Sequence, residues 1–360
     1  MYTITASAPD FALEAGLWYL KTSGVVCESR NGRVLRAPGP VCTVWADPRQ
    51  RVSFSPLRDA NPFFHLFEAI WMLAGRNDAA SLLPYNSHMA TFAEGGQFWG
   101  AYGNRWRKFF GFDQLTHIIE RLKVNPSDRR LVLSMWAPNG DLIPAGGLRG
   151  GASSKDVPCN TAVYFDASLG KLDMTVTNRS NDIVWGAYGA NVVHMSFLHE
   201  FVAAAAGVPL GTYYQFSNNY HAYIDRPDVQ KLIDTQRDRS SWSVNFQPGN
   251  RLRTSSHTLM GQGEDYVSFL VDAETFLEAD EDWAPATAFF RSVAVPLKQA
   301  HAAWREGDYG GALSRCRDCQ SEDWRYAAVE WLCRRLRARG AKGDEAATQA
   351  VSQIPNVFGG

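Results

Sequence analysis

The sequence predicts an α+β fold: one large domain of mixed strands and helices to about residue 275, then helices alone. Two observations carry this reading. Short runs rich in valine, threonine and aromatic residues stand among helical periods without the strict alternation of a parallel α/β sheet, and beyond that point the strand-like runs stop. A chain of 360 residues with 45% hydrophobic content and no long polar tract can bury a full-sized core.

The elements follow in chain order. Asn61 to Gly75 (NPFFHLFEAIWMLAG) has apolar residues at helical spacing behind an Asn-Pro start and ahead of a glycine stop, with one charge, Glu68, inside it. Leu131 to Trp136, Thr161 to Asp166 and Lys171 to Thr177 read as strands of one sheet, the last two joined by a turn at Ala167 to Gly170. Asn191 to Ala206 returns to helical periodicity, and Thr212 to Tyr220 reads as a further strand. Trp283 to Glu306, Asp308 to Asp318 and Glu322 to Arg339 read as helices separated by glycines or short polar breaks. The expected organisation is a domain over 1–275, a helical extension over 276–340 packed on it, and a tail over 341–360.

Composition narrows the function. Lysine plus arginine (36) nearly cancels aspartate plus glutamate (37), so a net charge of −1 offers no global field for a nucleic acid or an anionic membrane, and any anion must be held locally. Met1 to Glu14 lacks a basic segment followed by an apolar core, and the longest smooth apolar stretch, Phe201 to Leu210, is too short to cross a bilayer. A soluble, cytoplasmic protein with no membrane partner is expected. The cysteines at 27, 42, 159, 316, 319 and 333 are scattered, which suits reduced thiols. Cys316-x-x-Cys319 with Cys333 lacks the second pair or the histidines of a metal site, so core packing is expected there and no metal. The Trp-Arg and Arg-Arg groupings of the late helices are read as the basic last turns that helix C-termini prefer, in preference to a nucleic-acid surface.

Cys159 stands out by context. Pro158-Cys159-Asn160 enters a strand, and the hairpin's return strand ends in Asn178-Arg179-Ser180-Asn181-Asp182. Antiparallel pairing places Arg179 near the sulfur, where a cation favours the thiolate.

Seven pieces then occur in one order: ExxWxLxG at Glu68 to Gly75, YGxxWR at Tyr102 to Arg107, Arg129-Arg130, Pro158-Cys159, RSxD at Arg179 to Asp182, Asn191, and HxY at His221 to Tyr223. In that order the chain resembles the thymidylate synthase and pyrimidine hydroxymethylase family. The resemblance implies that family's fold, a large mixed β-sheet with flanking helices, to which this chain adds its C-terminal helices.

It also implies a chemistry. The Cys159 thiolate would attack carbon 6 of a pyrimidine nucleoside monophosphate, turning carbon 5 into a nucleophile that captures the methylene of 5,10-methylenetetrahydrofolate. Proton loss from carbon 5 and charge on the ring carbonyl call for a carboxyl group and ordered water, matched by Glu68 and Tyr102. Arg179 and Ser180 match part of the phosphate cradle, and Arg129 and Arg130 match a pair that reaches the neighbouring subunit's site, which implies a homodimer with shared active sites. Arg30 is a candidate third phosphate contact, with Arg33 competing. His221 and Tyr223 alternate on a strand and share a face, so both can bind one sugar hydroxyl; two core residues satisfying each other is the alternative. Asp182 and Trp71 match the folate side, Asp182 at the pterin ring and within the catalytic group.

Asn191 aligns with the base reader. An amide matches uracil, whereas cytosine specialists place aspartate there, although the loop Gly186 to Asn191 is one residue longer than usual and leaves cytosine open. His88 to Phe92 stands where methylating members carry a tryptophan-rich shield, and Asn160, Asn219 and the RSND wording point to the phage-type hydroxymethylase branch. Hydroxymethylation of dUMP is therefore expected. The alternatives are a dCMP or CMP hydroxymethylase, a thymidylate synthase making dTMP, and a non-catalytic dimeric scaffold docked through its helical appendage. The resemblance further implies a C-terminal lid over folate, for which Val357 and Phe358 are the candidates.

Overall fold

The structure, a computed structural model, describes residues 1–142, 156–235, 255–261, 263–280 and 282–352. Its strands are β1 (Tyr2–Ala6), β2 (Val25–Cys27), β3 (Val34–Arg36), β4 (Val41–Trp45), β5 (Val132–Ser134), β6 (Asn160–Asp166), β7 (Leu172–Asn178), β8 (Asn181–Asp182), β9 (Leu210–Ser217) and β10 (Tyr220–Tyr223). Its α-helices are α1 (Pro9–Ser23), α2 (Pro62–Leu73), α3 (Tyr102–Arg107), α4 (Gln114–Val124), α5 (Pro138–Asp141), α6 (Asn191–Ala206), α7 (Pro227–Thr235), α8 (Tyr266–Phe276), α9 (Val295–Glu306), α10 (Tyr309–Asp318), α11 (Glu322–Gly340) and α12 (Glu345–Ser352). This is the expected α+β class. A six-stranded mixed sheet runs β1-β4-β9-β7-β6-β5, and a four-stranded one runs β2-β3-β10-β8.

Alternation along the strands gives the large sheet two different faces. Val41, Thr43 and Trp45, then Met174, Val176 and Asn178, then Tyr213, Gln215 and Ser217 are buried under helices, while Cys42, Val44, Thr175, Thr177, Tyr214 and Phe216 stay half-exposed. Two apolar helices pack together beneath the buried face. In α2 every residue is buried, its start fixed by the Asn61 side chain accepting from Phe64 N at 3.2 Å and its end by Gly75 at φ 67°. In α6 only Ala204 and Ala206 escape full burial, and Gly207 at φ 71° ends it. A helix that is apolar all round belongs at the centre of a core, which is where α2 and α6 cross.

Two sequence expectations change. The run Thr212 to Tyr220 is divided between two sheets, because Asn218 and Asn219 turn the chain: Asn218 N donates to Asn178 O at 2.9 Å and Asn181 N to Asn219 O at 2.8 Å. The hand-over starts β10, which carries His221 and Tyr223, on a new sheet. The helix expected from Trp283 begins only after Pro285, where the Asp272 carboxylate caps Ala286 N at 3.1 Å and Thr287 N at 2.8 Å. It passes through a π-turn at Phe290–Ala294 before Pro296. Proline lacks the N–H that would bond Ser292 O, and that carbonyl accepts from Gln320 N at 2.8 Å instead.

The helices beyond residue 276 share one hydrophobic cluster with the sheet and with α2, a cluster running from Ile4 to Ala350 and including Cys316, Cys319 and Cys333. Arg334 and Arg335 both pair with Asp59, in the loop before α2, the latter at 2.8 Å. Arg51 pairs with Glu200 at the same junction, 1% and 7% exposed, and Asp323 lies beside them, 3% exposed. Burial pushes Asp323 up to about 6 from an ordinary 3.8. The folded state therefore holds this proton more tightly than the unfolded chain, so the associated stability is complete below the ordinary carboxylate value and is lost as pH rises through about 6. Asp323→Asn is expected to flatten the rise in melting temperature on acidification across that window; an unaltered slope in thermal melts would refute the assignment. Among the described residues, no helix is long and apolar enough to cross a membrane. Val357 and Phe358, the lid candidates, lie outside the described residues.

Candidate active site

Cys159 stands at the entry of β6, partly buried, one residue before the ladder begins. The β6–β7 hairpin brings Arg179 opposite it, with Arg179 N donating to Cys159 O at 3.0 Å. The guanidinium then folds back on the strand that carries the sulfur: Nε donates to Pro158 O at 2.9 Å and Nη2 to Val157 O at 3.1 Å, over the Trp136 ring at 5.5 Å. Burial pushes the Cys159 thiol up, and the Arg179 charge is the largest influence pulling it back. Ser180 follows at the turn into β8, half-buried.

Tyr102 opens α3. A Cβ on the next residue, Gly103, would lie 1.9 Å from Met72 O, so glycine is what lets α3 rest on the end of α2. That approach brings Tyr102 within hydrogen-bonding reach of Cys159 and within the field of Glu68. Burial and the neighbouring Cys159 and Asp156 push the phenol well above its ordinary value, so it stays protonated at neutral pH. Glu68, 6% exposed on α2, has its Oε2 2.8 Å from Nε2 of His194 on α6. Neither atom has an aligned hydrogen bond, which leaves a buried carboxylate edge with capacity for a ligand or water.

Asp182 and His221 are register partners in the small sheet. The Asp182 carboxylate accepts from Trp185 N at 2.8 Å and Val184 N at 3.4 Å, capping the π-helical turn Ile183–Ala190. Burial raises Asp182 and lowers His221, each tempered by the other's charge. His221 Nδ1 lies 3.1 Å from Asn219 Oδ1, and its ring meets that of Tyr223 edge-on at 5.1 Å. The loop that leads to Asn191 is this π-turn, and α6 follows it directly. Asn191, 6% exposed at the start of α6, donates through Nδ2 to Asn181 Oδ1 at 3.2 Å, which orients its amide.

Arg179, Tyr102 and Asp182 thus all act on Cys159, Glu68 acts on Tyr102, and His221 acts on Asp182. Other candidates stand apart. Arg129 and Arg130 are exposed before β5, at its far end from Trp136, whose N donates to Thr161 O at 3.1 Å near the nucleophile. Four residue steps of extended chain from Leu131 to Met135 span about 13 Å. Arg130 is held by Asp128 at 3.0 Å. Arg30 is exposed in the β2–β3 turn, and Arg33 is committed to Asp225 at 2.7 Å. Trp71 is 2% exposed and donates to Asp78 O at 3.1 Å, in the core behind the site.

Three residues beside these escaped the sequence reading. His194 was hidden in an apolar helix, where its spacing from Asn191, one turn on, was the available signal. Arg58, 5% exposed, donates to Val184 O at 2.7 Å and lies against Trp185 and within the field of Asp182. Asp156 precedes the nucleophile by three residues, in the segment before β6, and accepts from Gly100 N at 2.8 Å.

The thymidylate synthase family model matches residues 60–254. A deoxyuridylate hydroxymethyltransferase of Pseudomonas phage M6 is 40% identical over 354 residues, covering 95% of this chain and 96% of its own. One of Bacillus phage SP01 is 32% identical over 304 residues, covering 77% of each chain. The crystal structure of thymidylate synthase from T4 phage overlays 63% of this chain and 80% of its own, with 21% identity and a TM-score of 0.48.

Proposed function

This chain belongs to the thymidylate synthase family, and from that premise we propose that it hydroxymethylates carbon 5 of dUMP through a covalent adduct at Cys159, with 5,10-methylenetetrahydrofolate as one-carbon donor. The observation that carries the reading is the thiol of Cys159 set between the Arg179 guanidinium and the Tyr102 phenol, with the buried Glu68 carboxylate acting on that phenol. Arg179 stabilises the thiolate that adds to carbon 6. Glu68, backed by His194, holds water where the ring carbonyl gains charge, and the Tyr102 phenol oxygen orients the water that takes the proton leaving carbon 5. Asn191, its Nδ2 turned to Asn181, keeps its carbonyl for the N3–H of uracil. His221 and Tyr223 serve the sugar, and Ser180 and Arg179 the phosphate.

The folate supplies a carbon at the formaldehyde oxidation level. The Asp182 carboxylate fits such a heterocycle, because its two oxygens offer about four lone-pair sites and the backbone of Val184 and Trp185 uses two. Trp71 acts on this side only through the core that backs the site.

Two features support a homodimer. Arg129 and Arg130 project from the chain's surface far from its own sulfur, suited to the phosphate of a second copy, with Arg30 as a further contact. The half-exposed face of the large sheet, with Thr175, Thr177, Tyr214 and Phe216, offers the covering surface for that copy.

Incubation with methylenetetrahydrofolate and dUMP, dCMP or CMP in parallel tests the reading by mass spectrometry. The expected product is 5-hydroxymethyl-dUMP without dihydrofolate. A rise in dihydrofolate absorbance with dTMP would replace it by methylation, and turnover of dCMP alone would overturn the Asn191 assignment.

A further inference from the structure

Hydroxymethylation ends with water adding to a carbon that has just left the folate, and that water needs a base. The site described above contains one carboxylate that faces helix α6, Glu68, whose Oε2 is 2.8 Å from His194 Nε2. A second carboxylate stands on the nucleophile's own strand entry. Asp156 accepts from Gly100 N at 2.8 Å, and the fit is close: a Cβ on Gly100 would lie 2.7 Å from Asp156 O, 3.1 Å from Asp156 Oδ1 and 3.1 Å from Pro158 N. Gly100 stands two residues before Tyr102, so one tight crossing positions the phenol and the carboxylate against the segment that presents the sulfur. Asp156 raises both Cys159 and Tyr102 electrostatically and is itself raised by Glu68, which puts all four groups in one cluster. Its side chain is partly exposed, so solvent reaches it.

We propose that Asp156 is the general base that activates the water captured at the exocyclic carbon on position 5, a role that rests on the hydroxymethylase reading above. The water oxygen bonds to the exocyclic methylene carbon, the electrons of its double bond to carbon 5 move onto the ring as an enolate, and the water proton passes to the Asp156 carboxylate. Collapse of the enolate restores the double bond between carbons 5 and 6 and expels the Cys159 thiolate. No electron is gained or lost, and the proton leaves Asp156 to solvent. Burial holding this carboxyl up at about 6 agrees with the role, since a base of that strength is ionised at neutral pH and still takes a proton.

The test separates the early steps from the last. Asp156→Asn keeps an oxygen for Gly100 N but removes the base. In single turnovers with enzyme in excess, release of tritium from [5-³H]dUMP is expected to stay within about threefold of the parent while 5-hydroxymethyl-dUMP forms about 10²-fold or more slowly. Asp156→Glu is expected to recover part of the second rate. Parallel loss of both rates in Asp156→Asn, or of the 5-fluoro-dUMP adduct, would show a positioning role and overturn the proposal, as would an unchanged product rate. Failure of the underlying reading is distinguishable, because the parent enzyme itself would then make dTMP or no product.

Discussion

Cys159→Ala is expected to lower turnover by at least about four orders of magnitude, because the pyrimidine ring is too unreactive at carbon 5 unless carbon 6 is first saturated by a nucleophile. The same change is expected to remove the covalent complex formed with 5-fluoro-dUMP and the folate, in which fluorine blocks proton loss and strands the adduct. Intact-mass spectrometry reads both: a mass increase by nucleotide plus folate in the parent, none in the variant. The fold should survive, since the residue is partly exposed and its backbone, which bonds Arg179 N at 3.0 Å, is unaltered. An adduct persisting in Cys159→Ala would mean that another group carries the chemistry, and absence of an adduct in the parent would revive the scaffold reading.

The largest structural effect is expected at Asp141. Its carboxylate takes both terminal nitrogens of Arg105 at 2.9 Å, with neither side chain exposed at all, and also accepts from Trp99 Nε1 and Ala137 N at 2.8 Å. Arg105 lies over the Phe109 ring at 3.8 Å. Asp141→Ala leaves a guanidinium buried without its counter-charge, a change that costs about 3–5 kcal/mol. For a chain of 360 residues, with an unfolding entropy of about 2.1 cal/mol/K per residue, that corresponds to a fall of roughly 4–7 °C in melting temperature, read by calorimetry. Activity should fall as well at temperatures where the variant is folded, because Trp99 and Gly100 lead directly into Tyr102. A loss under about 1 kcal/mol would show that the pair is dispensable.

What the sequence disclosed, and what it concealed, follows from how local each signal is. The helices over Pro62–Leu73 and Asn191–Ala206 were legible because caps, glycine stops and unbroken apolar content all lie within the segment. The β6–β7 hairpin was legible for the same reason, and with it the pairing of Arg179 with Cys159. The division of Thr212 to Tyr220 between two sheets was not, since it depends on Asn178 and Asn181 arriving from elsewhere in the chain. Asp156, Arg58 and His194 belong to the same class. Each is an ordinary residue in its own segment and acquires meaning only when Gly100, Val184 or Glu68 is folded against it.

The grip of Arg334 and Arg335 on Asp59 reaches further than their position at the chain's end suggests. Asp59 adjoins Arg58, and Arg58 braces the turn that Asp182 caps. Three links of side chain and backbone therefore join the last helices to the turn that Asp182 caps. A shortened chain ending before Arg334 is expected to keep Cys159, Glu68 and Tyr102 while losing this bracing of the turn beneath Asp182.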